Sequence, residues 1–139
     1  MGQCYIIDWY INYPDEKKPL IVTALRDFIH KQESETTANF NLKTYAAKGY
    51  TPDTWDGVMT LLFTDRGTKI SDHHIYAAFD ASYGWENVIT AAFKAVMHLV
   101  ENTSMMLMET DDGSSKLTIK NGDLECEYEE YEDDYEDKS

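Results

Sequence analysis

The side chains able to do chemistry are few and poorly grouped. Asp72, His73 and His74 stand together and are the first place to look for a metal. Adjacent residues on a strand point to opposite faces, so the two imidazoles do not readily share one ion, and no His-x-His or Cys-x-x-Cys accompanies them. A loop or strand-entry role suits them better. His98 falls on the polar side of a helical pattern, where acid or base work would need a nucleophile beside it. Cys4 and Cys126 are too few for a disulfide framework and are not spaced for zinc; neither has a flanking glycine or a helix N-terminus to lower its thiol pKa. Both read as reduced and half-buried.

Asp111-Asp112-Gly113-Ser114-Ser115 has the composition of a calcium loop without its D-x-D-x-D-G order or its distal glutamate, and a hairpin turn explains it. No G-x-G-x-x-G, P-loop or G-x-S-x-G is present, which leaves nucleotide cofactors and serine hydrolysis without a foothold. The expectation is a protein without catalytic residues, metal or cofactor.

The chemistry that is concentrated is negative charge. From Asp123 to Ser139 the chain reads DLECEYEEYEDDYEDKS, holding ten of the 26 carboxylates and one of the 12 basic residues. That is a net charge of −9 in 17 residues, against −5 in the other 122. Blocks of like charge are commonly solvating tails. A tail that only solvates gains nothing from Tyr128, Tyr131 and Tyr135, whereas rigid amphipathic rings among charges suit an interface. The candidate partner-binding residues are therefore Glu125, Glu127, Tyr128, Glu129, Glu130, Tyr131, Glu132, Asp133, Asp134, Tyr135, Glu136 and Asp137.

Length and composition limit what can position these groups. The 139 residues amount to one domain. A 42% apolar share and 18 aromatic residues mark a folded body in spite of the charge. A net charge of −14 repels phosphate backbones and anionic lipid heads, so the partner expected is a basic protein surface and not nucleic acid or membrane. No apolar run approaches the roughly 20 residues of a membrane span, the N-terminus lacks a charged region followed by a long apolar run, and a cytoplasmic location is expected. Met1-Gly2-Gln3-Cys4 invites a lipidation reading, but Ile6 stands where the pattern wants Ser or Thr.

Along the chain, Tyr5, Ile7, Trp9, Ile11 and Tyr13 alternate as one face of a strand over residues 4–13. Pro19 opens a helix with Ile21, Ala24, Leu25, Phe28 and Gln32 on one side. Phe40, Leu42, Thr44 and Ala46 suggest a short strand. Thr51-Pro52 resembles a cap, and Trp55, Val58, Met59, Leu62 and Phe63 fit a helix stopped by Gly67. Gly57 counts against that helix, and a buried strand over Val58 to Thr64 is the alternative. His74 to Asp80 reads as a strand. Trp85 to Glu101 is the best-formed helix, with Trp85, Val88, Ile89, Ala92, Phe93, Val96, Leu99 and Val100 as its apolar stripe. Met105–Glu109, Lys116–Lys120 and Asp123 onward follow as three strands, with Met105, Met106 and Met108 as core filler.

Asn121-Gly122 is the preferred pair for a type I′ loop. It sets Lys120 opposite Asp123, Ile119 opposite Leu124, Thr118 opposite Glu125, Leu117 opposite Cys126 and Lys116 opposite Glu127. Beyond Glu127, Tyr128, Tyr131 and Tyr135 share one side of a helix that like charges oppose until a basic partner relieves them. The expected architecture is α+β: an antiparallel or mixed sheet with two or three helices on one face and a C-terminal meander, residues 1–127 forming the domain and 128–139 an acidic tail.

In size and charge the chain resembles phage-encoded anti-defence DNA mimics, anti-restriction and anti-CRISPR proteins included, an analogy of character that no motif carries. The resemblance implies an inhibitor that offers carboxylates to a nucleic-acid-handling enzyme in place of phosphates. One DNA strand presents a charge about every 3.4 Å, whereas alternate residues of a strand lie about 6.8 Å apart. Glu125, Glu127 and Glu129 would need help from the tail, or from acids such as Asp111 and Asp112. Two alternatives stand beside it: an immunity protein that neutralises a toxin nuclease, and a small enzyme using His98 or His73 as acid or base in a cleft between helix and sheet.

Overall fold

A computed structural model describes residues 4–35, 40–63, 68–80, 85–110 and 113–130. Strand β1 (Cys4–Tyr10) leads through a 3-10 turn (Asp15–Lys17) into α1 (Lys18–Ser34), then α2 (Leu42–Ala47) and α3 (Trp55–Leu62). A short β2 (Lys69–Ile70) and β3 (His74–Asp80) precede α4 (Trp85–Val96), and β4 (Met105–Glu109), β5 (Gly113–Lys120) and β6 (Asp123–Glu130) complete the described chain. The six strands form one antiparallel sheet in the order β2-β3-β1-β4-β5-β6. The protein is therefore α+β, with a C-terminal meander β4-β5-β6.

The N-terminal strand becomes the middle of the sheet because its alternating apolar residues supply the deepest part of the core. Ile7, Trp9 and Ile11 are fully buried, and Tyr5 and Tyr13 nearly so. The Trp9 ring meets Phe63 and Phe93 edge-on, with centroids 5.1 and 5.3 Å away, which ties β1 to α3 and α4. Tyr5 donates to Glu86 Oε1 of α4 at 2.8 Å, and Trp85 Nε1 donates to the Leu62 carbonyl at 2.7 Å. Helix α1 lies on this layer through Ile21, Leu25 and Ile29.

Several expectations change. Residues 42–47 are helical, not extended: Asn41 adopts the left-handed conformation (φ 53°, ψ 48°), which ends any strand after the buried Phe40. Leu42 and Tyr45 then share the inward side at i, i+3, while Thr44 and Ala46, required by an alternating pattern, are exposed. Helix α3 is formed as preferred, but its cap is Thr54, whose hydroxyl accepts from the Gly57 N–H at 3.0 Å, and not Thr51. Gly67 lies outside the described residues. Helix α4 stops at Val96, and the chain turns so that Val100 still reaches the core and the Glu101 N–H donates to the Asn12 carbonyl at 2.7 Å. Buried Ser104 is satisfied there, its hydroxyl accepting from the Asn12 N–H at 2.8 Å. Met106 is core; Met108 is partly buried against it, while Met105 turns to the other side of the sheet.

Candidate partner-binding surface

The acidic segment is positioned by a hairpin. Asn121 and Gly122 both have positive φ, 56° and 78°, as a type I′ turn demands. The five expected pairs, from Lys120 opposite Asp123 to Lys116 opposite Glu127, all occur. The pairing then continues past the expected end of the domain, with Ser115 opposite Tyr128, Ser114 opposite Glu129 and Gly113 opposite Glu130. Tyr128, assigned above to a helical face, is thus a strand residue. Tyr131, Glu132, Asp133, Asp134, Tyr135, Glu136 and Asp137, like Asp111 and Asp112, lie outside the described residues.

Alternation along β6 divides the acids. Asp123, Glu125, Glu127 and Glu129 occupy the face away from the helices; Tyr128 and Glu130 share the other with Leu124 and Cys126. Both faces are exposed at β6, because the helical layer reaches Leu117 and Ile119 of β5 and goes little further. Tyr128 is 61% exposed and Cys126 is exposed, against the half-buried expectation for that thiol. The Cys4 side chain is outside the described ones.

Four carboxylates therefore stand in a column about 20 Å long, where one DNA strand would present about seven phosphates. Folding adds Glu109, which reaches the row of Glu129 across Ser114. It also subtracts, since Lys116 faces Glu127 and Lys120 Nζ lies 3.9 Å from Glu125 Oε2. Exposed pairs of this kind contribute at most about 1 kcal/mol and yield readily to a better cation.

Across β5 from the column lies a surface that the sequence did not single out. On the same face, β1 presents Ile6, Asp8 and Tyr10, β3 presents His74, Tyr76 and Ala78, and β4 presents Met105 and Leu107. These are half-buried side by side, but none belongs to the core. At its centre His74 Nε2 lies 2.7 Å from Asp8 Oδ1, and the imidazole stacks on Tyr10 with centroids 4.4 Å apart and planes 6° from parallel. Partial burial, then the Asp8 carboxylate, raise the Tyr10 pKa, which keeps that phenol neutral. The signal for this face was the even-numbered residues of β1, hidden behind the stronger odd-numbered alternation.

Among the described residues, the other candidates stand apart from one another. His73 Nδ1 is 2.9 Å from the Ile11 carbonyl and its ring lies against Tyr13, a structural placement. His98 is exposed in the turn after α4. Among the described residues, no three of His, Cys, Asp and Glu are grouped to hold a metal ion. Two open grooves, about 470 Å³ beside Lys18, Arg26, Asp53 and Trp55 and about 370 Å³ beside Tyr45, Asp56 and Phe63, are lined by neither histidine nor cysteine.

Comparison with known protein families, with curated proteins and with solved structures found no match. Among the described residues no helix is long and apolar enough to cross a membrane.

Proposed function

We propose that this chain is a non-enzymatic inhibitor that binds a basic, phosphate-accepting surface of a nucleic-acid-handling protein, acting as a nucleic-acid mimic of the anti-defence type. The observation that carries the reading is the same-face column Asp123, Glu125, Glu127 and Glu129 on an edge strand exposed on both sides. Glu125 and Glu127 meet Lys120 and Lys116 only in exposed, easily exchanged contacts, and the column projects from a strand that the core scarcely needs. Their spacing of about 6.8 Å is twice that of phosphates on one strand. A long Arg or Lys can bridge that difference, and Glu109 thickens the column at one end.

The test is capture on the immobilised chain from host extract, followed by competition between the chain and DNA for the captured enzyme. A partner retained at low salt, released at moderate salt and displaced by DNA supports the reading. Glu125, Glu127 and Glu129 changed together to Gln should lose most of the inhibition, and adding Glu130→Gln, Glu132→Gln, Asp133→Asn and Asp134→Asn should abolish it. Full inhibition by that combined variant would reject mimicry.

A further inference from the structure

The sheet of this protein has two apolar faces, and the described helices cover only one. Face one is closed by α1, α3 and α4 over Tyr5, Ile7 and Trp9. Face two carries Ile6, Tyr10, Tyr76, Met105 and Leu107 in neighbouring positions of three adjacent strands. In register, Tyr76, Asp8, Leu107, Lys116 and Glu127 form one row and His74, Tyr10, Met105, Thr118 and Glu125 the next. Each row runs from a mainly aromatic and apolar half on β3, β1 and β4, into which the Asp8–His74 pair is set, through Lys116 or Thr118 on β5 to a carboxylate on β6.

Resting on the function proposed above, we infer that this second face is the docking surface, and that its occupant is a basic amphipathic helix of the partner protein. Its apolar side would lie on Ile6, Tyr10, Met105 and Leu107, and its Arg or Lys residues would reach Glu125, Glu127 and Glu129.

Three physical arguments select that occupant. The backbone of an interior sheet face is already paired within the sheet, so it offers side chains and no ladder; a helix satisfies its own N–H and C=O groups and can cover such a face without leaving polar groups unpaired, as α1, α3 and α4 do opposite. The unbalanced charge lies at one side of the face, with four carboxylates along β6 against Lys116 and Lys120 on β5. On β1 and β4 the Asp8 carboxylate is already met by His74, and Ile6, Tyr10, Met105 and Leu107 form an apolar patch two to three strands from β6, which matches a helix having one apolar and one cationic side. A helix with its side chains is about 10–12 Å across, and the centres of β1 and β6, three strand spacings apart, are about 14 Å from each other. A second copy of this chain fits less well, because it brings another −14 of charge to the same surface.

The probe is a synthetic peptide of about 18 residues, some five helical turns, with leucines on one side and arginines flanking them. It is titrated into the full-length chain while amide shifts are followed, with a scrambled peptide of the same composition beside it. The result expected is helix induction in the peptide and shifts confined to β1, β4, β5 and β6, with the scrambled peptide at least about tenfold weaker.

Leu107→Asp is the decisive variant. It adds a negative charge that should attract the peptide further, so a loss of about tenfold in affinity can only reflect the lost apolar seat. Met105→Ser, a milder change at the neighbouring position, guards against misfolding of the first, and retained far-UV dichroism is required of both. Glu125→Gln with Glu127→Gln and Glu129→Gln should weaken binding about tenfold and flatten its salt dependence.

Equal binding of the scrambled peptide, an unchanged affinity in Leu107→Asp, shifts centred on the helices, or dimerisation of the free chain through this face would each overturn the inference. The two proposals fail separately. Inhibition that needs Glu125, Glu127 and Glu129 but is indifferent to Leu107→Asp removes the helix seat and leaves the mimic. A seated peptide without inhibition of any nucleic-acid-handling enzyme does the reverse.

Discussion

Gly57 packs so tightly beneath Thr51 that a Cβ at position 57 would fall 1.7 Å from the Thr51 carbonyl oxygen and 2.9 Å from the Thr54 hydroxyl. The glycine that weakens the helical pattern of residues 55–62 is thus the residue that lets the preceding loop close over the helix start. Gly57→Ala should cost about 3 kcal/mol, the upper end for overpacking. Thr54→Ala, which removes only the cap, should cost about 1 kcal/mol. Urea denaturation midpoints separate the two; equal costs would mean that the loop moves aside freely.

Trp9 Nε1 is buried without a hydrogen-bond partner among the described residues, between Phe63 and Phe93. An unpaired buried donor costs about 1–3 kcal/mol, which offsets much of what the larger ring gains. Trp9→Phe should therefore lie within about 1 kcal/mol of the parent, while Trp9→Ala should lose about 4 kcal/mol. Thermal or chemical unfolding of both variants checks the contrast.

The Tyr13 phenol donates to the Asp72 carbonyl, and burial, with Asp72 and Asp15 nearby, pushes its pKa from 10.0 up to about 12. The unfolded chain ionises this phenol first, so the folded state holds more protons between those values and stability falls as pH rises from 10 to about 12. Below pH 10 the contribution is fully present. Tyr13→Phe should be about 1 kcal/mol less stable at neutral pH and should lose less stability across the alkaline window. Denaturation midpoints at pH 8, 10 and 11 measure it.

The positive φ angles of Asn121 and Gly122 hold β6 against β5. Asn121→Ala with Gly122→Ala should cost about 1–2 kcal/mol per residue, paid locally because β6 is an edge. Amide exchange should accelerate across 116–127 and stay unchanged in β1, and the inhibition proposed above should fall although every carboxylate remains. Unchanged exchange in β6 would show that cross-strand pairs alone set the register.

Where neighbouring residues made the decision, the sequence was enough. Tyr5, Ile7 and Trp9 announced a buried strand face, which Ile11 and Tyr13 continue as buried residues beyond the end of β1 at Tyr10. Asn121-Gly122 with the apolar pairs around it specified the hairpin register, because a slip of one residue would reverse every side chain. The segment 42–47 misled because six residues hold too few periods to separate alternation from a short helix, and a single left-handed Asn41 decides between them. Half-burial of Cys126 failed for another reason: it assumed that the helical layer extends over β6.

By itself, the sequence determined the α+β composition, the strand-turn-strand that carries the acids, and the excess of negative charge. Periodicity, turn chemistry and charge are properties of neighbours along a chain, which is why they could be read there. Tertiary structure alone decided that β1 lies between β3 and β4, that Asp8 meets His74, and that Tyr10 and Leu107 share an apolar face bordered by Glu125 and Glu127. Those residues are drawn from distant parts of the chain, and only the order of strands in the sheet places them on one surface.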